Sequence, residues 1–160
     1  MNDLNIIEAI AQSSLGPELD PDECKALAAV MDVESIPGGS TLVREGEPRR
    51  TLFVLASGKL DVCKEIDGSE EKVYQMRLGE CAGTRAFIDG SPRHAALRCD
   101  IDSQVLTLEP EAFEGLIDKE PRLVYKVMRA IFRITHSNLM RVNHESAEMR
   151  NYVMKSGGRY

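Results

Sequence analysis

Leu52-Phe53-Val54-Leu55-Ala56-Ser57-Gly58-Lys59-Leu60-Asp61-Val62 is the stretch that decides the fold. Its first four residues are strongly β in type, being aliphatic, aromatic or β-branched. Ser57-Gly58 then turns the chain. Beyond the turn, Leu60 and Val62 alternate with polar neighbours, the period-two pattern of a strand with one buried face. Working outward, Thr41-Leu42-Val43-Arg44 is a further strand, preceded by the turn Pro37-Gly38-Gly39 and closed by Glu45-Gly46-Glu47-Pro48. On the other side, Asp67-Gly68 signals a hairpin. After it, Val73, Gln75 and Arg77 alternate with Tyr74, Met76 and Leu78, and two more strands read at 95–101 and 104–108. Many short strands at this spacing indicate a sandwich or a roll.

Helical patterns flank this β region. Leu4, Ile7, Ile10 and Ala11 recur at helical spacing, Gly16-Pro17 interrupts, and Asp20-Pro21 opens a second helix with Asp20 as N-cap. Cys24, Leu27, Ala28 and Met31 are its expected buried stripe. Pro110 to Ile117 reads as a short helix, and Glu120-Pro121 opens a long one running to about Arg150. The expected organisation is therefore N-terminal helices over 1–32, a β-roll over 33–120, a long helix over 121–150 and a frayed tail over 151–160.

Composition narrows the function classes. The chain has 160 residues, 42% of them apolar, with no Trp and a formal charge of −6. Such a chain is globular, and an acidic one does not advertise general nucleic-acid binding. The charge is uneven: from Pro121 to Arg141 there are five Lys or Arg and no carboxylate. Cys24, Cys63, Cys81 and Cys99 show no metal-type spacing and read as reduced thiols. The opening residues lack the basic and long apolar regions of a signal peptide, and no stretch approaches a membrane span. The expectation is a cytoplasmic protein with no membrane contact. No nucleophile elbow, Walker loop or HExxH motif is present. His94, His136 and His144 are scattered, and only one falls in the β region. A cupin-type metal enzyme is disfavoured on that pattern, and the three read as solvated or interface residues.

Two runs carry a family resemblance. Pro37-Gly38-Gly39, Glu45-Gly46-Glu47 and the Leu52–Val62 stretch resemble the opening of the catabolite activator protein effector domain, shared with the cyclic nucleotide domains of protein kinase A regulatory subunits and gated channels. The run from Leu78-Gly79-Glu80 through Gly83-Thr84-Arg85 to Pro92-Arg93-His94-Ala95-Ala96 resembles that family's phosphate-binding cassette. The resemblance implies a mainly β fold: a double-stranded β-helix jelly roll of the cyclic nucleotide-binding domain type, with N-terminal helices and a long C-terminal dimerisation helix.

It also implies a site. No cofactor is fixed by the sequence; the ligand implied is a cyclic nucleotide or another small anion. Gly83 matches the glycine that lets the backbone approach a phosphate, and Arg93 the arginine that forks onto it. Arg85 adds positive charge, while His94 and Ala95 follow the arginine. Asn138 lies near where family members let the long helix touch the base. Each residue has a plainer reading beside this one. Arg93 reads as an anion holder or as the cap of a solvated turn. Thr84 reads as a helix N-cap before a ligand contact, and Cys81 as buried filler before a redox-sensing thiol. Thr84 stands where the family carries the Glu that accepts from the ribose 2′-hydroxyl, so cyclic AMP is expected to bind weakly or not at all.

The long helix carries an apolar arc from Leu123 to Val142 wider than one core face requires. The expectation is a homodimer with Val127, Ile131, Ile134 and Asn138 in the seam. Arg122, Lys126, Arg129, Arg133 and His136 form a basic stripe opposite. The family's transcription factors continue into a helix-turn-helix domain; this chain stops about ten residues past the helix, so no direct DNA binding is expected. Two functions follow. The first is a stand-alone regulatory module that senses a small anionic effector without catalysis. The second is a protein-interaction module with a vestigial pocket, meeting an unknown acidic partner through the basic stripe.

Overall fold

The computed structural model describes residues 4–157, with side chains through Arg141 and those of His144 and Glu148 beyond it. Two helices lead, α1 (Ile6–Gln12) and α2 (Pro21–Ala28). The β region follows as β1 (Asp32–Ile36), β2 (Thr41–Val43), β3 (Leu52–Ser57), β4 (Asp61–Ile66), β5 (Ser69–Gln75) and β6 (Cys81–Ala82). A short α3 (Thr84–Asp89) precedes β7 (Ala96–Arg98) and β8 (Ser103–Leu108), and α4 (Pro110–Glu114) and α5 (Pro121–Gly157) end the chain.

The strands form two antiparallel four-stranded sheets, ordered β1-β8-β3-β6 and β2-β7-β4-β5. This is the jelly roll with a long C-terminal helix that the sequence predicted. β3 shows why its sequence is apolar without alternation. Phe53 and Leu55 point into the roll, where they meet Val43, Leu60 and Leu97. Leu52 and Val54 point to the opposite face, where Ile10, Leu27, Phe87, Leu123 and Val127 pack on them. A strand covered on both sides needs apolar residues at every position. The Asp67-Gly68 turn joins β4 to β5 with both residues at positive φ, 51° and 83°, the geometry of a tight hairpin.

The helices that cover β3 are stopped and started by their own residues. Asp20 caps α2: its carboxylate accepts from the Glu23 amide at 2.8 Å, and Glu23 accepts from the Asp20 amide at 3.1 Å. Glu23 also holds α5 through Lys126 at 2.6 Å.

Four local expectations are corrected. In α1 the buried side is Ile10 with Leu4, Ile6 and Ala9, while Ile7 and Ala11 face outward, because docking against β3 rotates the helix one residue from the predicted stripe. The short helix after β8 ends at Glu114, where Gly115 begins a run of turns, rather than at Ile117. The long helix runs on to Gly157, past the boundary near Arg150, so 151–157 is helix rather than frayed tail; residues 158–160 lie outside the described residues. Finally, α5 turns Leu123, Val127, Ala130 and Ile131 onto its own roll, with Ile131 3% exposed. The predicted seam residues Val127 and Ile131 are therefore core, and Ile134 is half-buried against the same cluster. The face left outward carries Tyr125, Met128, Phe132 and Leu139, with Phe132 71% exposed. Val142, the far end of the predicted arc, is outside the described side chains.

Candidate ligand-binding site

The mouth of the roll opens into a cavity of about 590 Å³ enclosed by the cassette and α5. Its floor is apolar, from Val43, Val62 and Leu97 of the sheet that contains β4, and from Met76 just past β5. The cassette supplies one wall and α5 the other, through Ile134, Ser137 and Asn138. All seven residues expected at the site (Gly83, Thr84, Arg85, Arg93, His94, Ala95 and Asn138) border this one cavity.

Arg93 is not the cap of a solvated turn. It is buried, with Nε donating to the Arg49 carbonyl at 2.8 Å and Nη2 donating to the Thr51 carbonyl. Its guanidinium carbon lies 5.0 Å from the centre of the Phe53 ring. Nη1 faces Gly83, where a Cβ would overlap it, and Gly83 itself sits at φ +87°. Only glycine meets both conditions without strain. Burial, and then the neighbouring Arg49, pull the Arg93 pKa down to about 10; Glu47 and Glu109 oppose that fall. At neutral pH the group is still a cation, desolvated and aimed by two carbonyls.

Thr84 is not the cap of α3. Gly83 occupies the cap position, with no side-chain capping bond, and Thr84 is the first helical residue. Its buried hydroxyl meets the Thr135 hydroxyl of α5 at 3.1 Å, and Thr135 donates to the Ile131 carbonyl at 2.9 Å. Each hydroxyl has one proton, so the consistent arrangement runs from Thr84 to Thr135 to the carbonyl.

Arg85 and His94 are exposed at the rim, Arg85 Nη1 lying 3.0 Å from His94 Nε2. Cys81 borders the cavity, and the charge that acts on its thiol is that of Glu80. Burial first, and Glu80 second, push its thiol up to about 12. A thiol held that firmly protonated is a poor redox sensor.

Sequence reasoning missed three residues here. Arg133 belongs to the expected basic stripe and Arg141 only to the basic segment counted from Pro121, yet both line the cavity. Arg141 is three residues after Asn138, a helical spacing that would have found it. Tyr74 of β5 also lines the cavity, with the Arg141 guanidinium carbon 4.2 Å from its ring centre. Its hydroxyl donates to Glu80 at 2.7 Å. The stripe itself is largely consumed within the chain: Glu18 pairs with Arg129 at 3.3 Å and Arg133 at 3.0 Å, and Glu23 takes Lys126. His136 stacks on Phe132, and His144 pairs with Glu148.

Among the described residues, four arginines (Arg85, Arg93, Arg133 and Arg141) border the cavity against one carboxylate, Glu80, and Arg133 is held by Glu18. The Glu80 carboxylate is engaged by the Tyr74 hydroxyl and the Arg77 amide. An apolar floor beneath a cationic rim suits a ligand with one apolar end and one anionic end.

Known proteins share this construction. The family model for the cyclic nucleotide-binding domain matches residues 33–120, and the chain belongs to that family. It is 31% identical over 115 residues to the cGMP-dependent protein kinase egl-4 of Caenorhabditis briggsae, matching 70% of this chain and 15% of the kinase. It is 32% identical over 99 residues to the cAMP-dependent protein kinase regulatory subunit of Aspergillus niger, 62% of this chain and 24% of the subunit. The chain thus spans a small part of the length of these relatives. The fold resembles the crystal structure of a cyclic nucleotide-binding domain from Methylobacillus flagellatus, with TM-score 0.76 and 23% identity, covering 85% of this chain and 77% of that one. Among the described residues, no helix is long and apolar enough to cross a membrane.

Proposed function

We propose that this domain is a regulatory binding module whose ligand is a small anionic nucleotide, held in the cavity between the cassette and α5. The observation that carries the reading is a cationic excess around an apolar floor: Arg85, Arg93 and Arg141 against one engaged carboxylate, with Arg133 held by Glu18. The phosphate is assigned to Arg93 and to the backbone from Gly83 to Arg85, and the ring system to the floor and α5. The two kinase-family relatives are named for nucleotides with different bases, which supports the ligand class and leaves the base open. Cyclic AMP binds weakly in this reading. Thr84 brings no carboxylate to the ribose, and its hydroxyl is already engaged by Thr135. The test is thermal unfolding with orthophosphate, cyclic AMP and cyclic GMP. A ligand that prefers the folded state raises the melting temperature. The reading predicts a rise with a nucleotide that vanishes in Arg93→Ala; no rise with any of the three overturns it.

The interaction-module reading is weakened by the ion pairs that consume the basic stripe. A second feature of α5 concerns assembly. Tyr125, Met128, Phe132 and Leu139 follow one another at steps of 3, 4 and 7, a seam of period 3.5. Two copies of the domain pair along this seam in our reading, with the cavity on the neighbouring face of the same helix. Light scattering at tens of micromolar measures the pairing, and a wild-type monomer there refutes it.

A further inference from the structure

Along α5 the wall of the cavity runs from Ala130 to Arg141, about 16 Å of helix. The Thr84–Thr135 contact crosses it partway. Beyond the contact, toward Arg141, the wall belongs to the nucleotide site proposed above. Before the contact, at Ala130, Arg133 and Ile134, it has other company: Ser14 and Pro17 of the loop between α1 and α2, and Ala86 of α3. Local bonds fix that loop. The Ser13 hydroxyl donates to the Ile10 carbonyl at 2.7 Å and accepts from the Leu15 amide at 3.2 Å. The Ser14 amide donates to the Gly79 carbonyl at 2.9 Å. Gly16 lies so close to the Ile10 and Ala11 carbonyls that no side chain fits there. These ties leave Ser14 and Pro17 at the cavity margin.

This end of the cavity is apolar, with Ala86 and Ala130 buried and Ile134 half-buried, and it has one cation at its margin, Arg133. Glu18 shows what that cation accepts. One oxygen of its carboxylate lies 3.0 Å from Arg133 Nη2, and the other lies 3.3 Å from Arg129 Nη2. A carboxylate supplied by the chain itself is therefore already bound there. Glu18 and Arg133 are both partly exposed, and an ion pair in that setting is weak. Glu18 does not border the cavity, so it brings no apolar group into it. An outside carboxylate with an apolar body gains that burial as well as the ion pair. We infer that this end of the cavity is a second binding compartment, whose ligand is a small monocarboxylate with an apolar body, the carboxylate taking Arg133 from Glu18. The compartment uses none of the residues assigned to the nucleotide's phosphate, so it stands whether or not the nucleotide reading does.

NMR titration of the isotope-labelled full chain with hexanoate tests it. Hexanol supplies the same body without the charge, and orthophosphate the charge without the body. Hexanoate should shift the amides of the α1–α2 loop and of residues 130–134 saturably. It should bind about tenfold or more tighter than hexanol, the worth of one hydrogen bond to a charged group. Arg133 is exposed on the helix, so Arg133→Ala leaves the core intact and should bring hexanoate down to the level of hexanol. Glu18→Gln removes the internal competitor and should tighten hexanoate a few-fold. Ala130→Leu fills the compartment and should exclude hexanoate; if that variant does not fold, the Arg133 and Glu18 variants decide. Arg93→Ala should leave hexanoate binding unchanged while abolishing any response to a nucleotide, so the two sites fail separately. No saturable shift, hexanoate binding that ignores Arg133→Ala, or orthophosphate acting as strongly as hexanoate overturns the compartment. Hexanoate binding lost in Arg93→Ala places the carboxylate at the cassette and overturns it as well.

Discussion

The hydroxyls of Thr84 and Thr135 meet at 3.1 Å, joining the first residue of α3 to the middle of α5. It is a bond between the segment assigned to the phosphate and the helix that carries the outward seam. Thr84→Val keeps the shape and removes the bond. It should cost about 0.5–1.5 kcal/mol of stability, the usual net worth of one hydrogen bond. Chemical denaturation would register the loss, and an unchanged midpoint would show that the contact contributes nothing. Thr84→Glu has the opposite purpose. By placing a carboxylate at the cavity wall it should strengthen cyclic AMP binding by about 1.5–3 kcal/mol, the range for a hydrogen bond to a charged group. Calorimetry showing no gain would place the ribose elsewhere.

Arg93 and Gly83 should fail together. Gly83→Ala puts a methyl group where the Arg93 guanidinium lies and forces a side chain into a left-handed backbone. The backbone term alone is about 1–2 kcal/mol. Arg93→Lys keeps the charge but replaces the planar fork, whose Nε and Nη2 are held by the Arg49 and Thr51 carbonyls, with a single nitrogen, so anion binding should fall although the charge count is unchanged. Both variants can be scored by thermal unfolding with and without cyclic GMP. Wild-type behaviour in Arg93→Lys would show that only the charge matters.

Two neighbouring residues on α5 separate folding from assembly. Ile131→Asp places an unpaired carboxylate in the core and should unfold the domain or destabilise it by more than about 3 kcal/mol. Phe132→Asp changes a largely exposed position and should leave the circular dichroism spectrum intact while converting a dimer to a monomer. A dimer that survives Phe132→Asp would move the seam to another face.

The thiols supply a pH prediction. The folded state raises the Cys81 pKa from its ordinary 9.0 to about 12, and raises those of Cys24 and Cys63, in each case chiefly by burial. The unfolded chain therefore releases these protons first. Their contribution is intact below pH 9 and is lost as the pH climbs from 9 toward 12. Denaturation midpoints should fall across that window, and less so in Cys81→Ser. At pH 8, iodoacetamide should leave Cys81 unmodified in the native protein and label it after unfolding, as read by mass spectrometry. Rapid native labelling would contradict the burial.

Local pattern alone was enough for the roll. Strand period, the Asp67-Gly68 turn and the Asp20 cap are properties of a few adjacent residues, so six of the strands and the flanking helices could be read in order; β1 and the two-residue β6 carry too little pattern of their own. The cassette was legible through its family resemblance, carried by one contiguous run whose two ends, 83–86 and 92–95, border the cavity. What only the tertiary structure decided are pairings between distant residues. Which arc of α5 meets the roll depends on β3, some seventy residues away, because a helix with apolar residues most of the way round cannot state which side has a partner. The Arg93 fork is aimed by the carbonyls of Arg49 and Thr51. Thr84 is drawn off its capping role by Thr135, and Arg133 is bound by Glu18. Arg141 reaches the cavity because β5 brings Tyr74 beneath it. A side chain's chemistry is written in the sequence, but its partner is written in the packing.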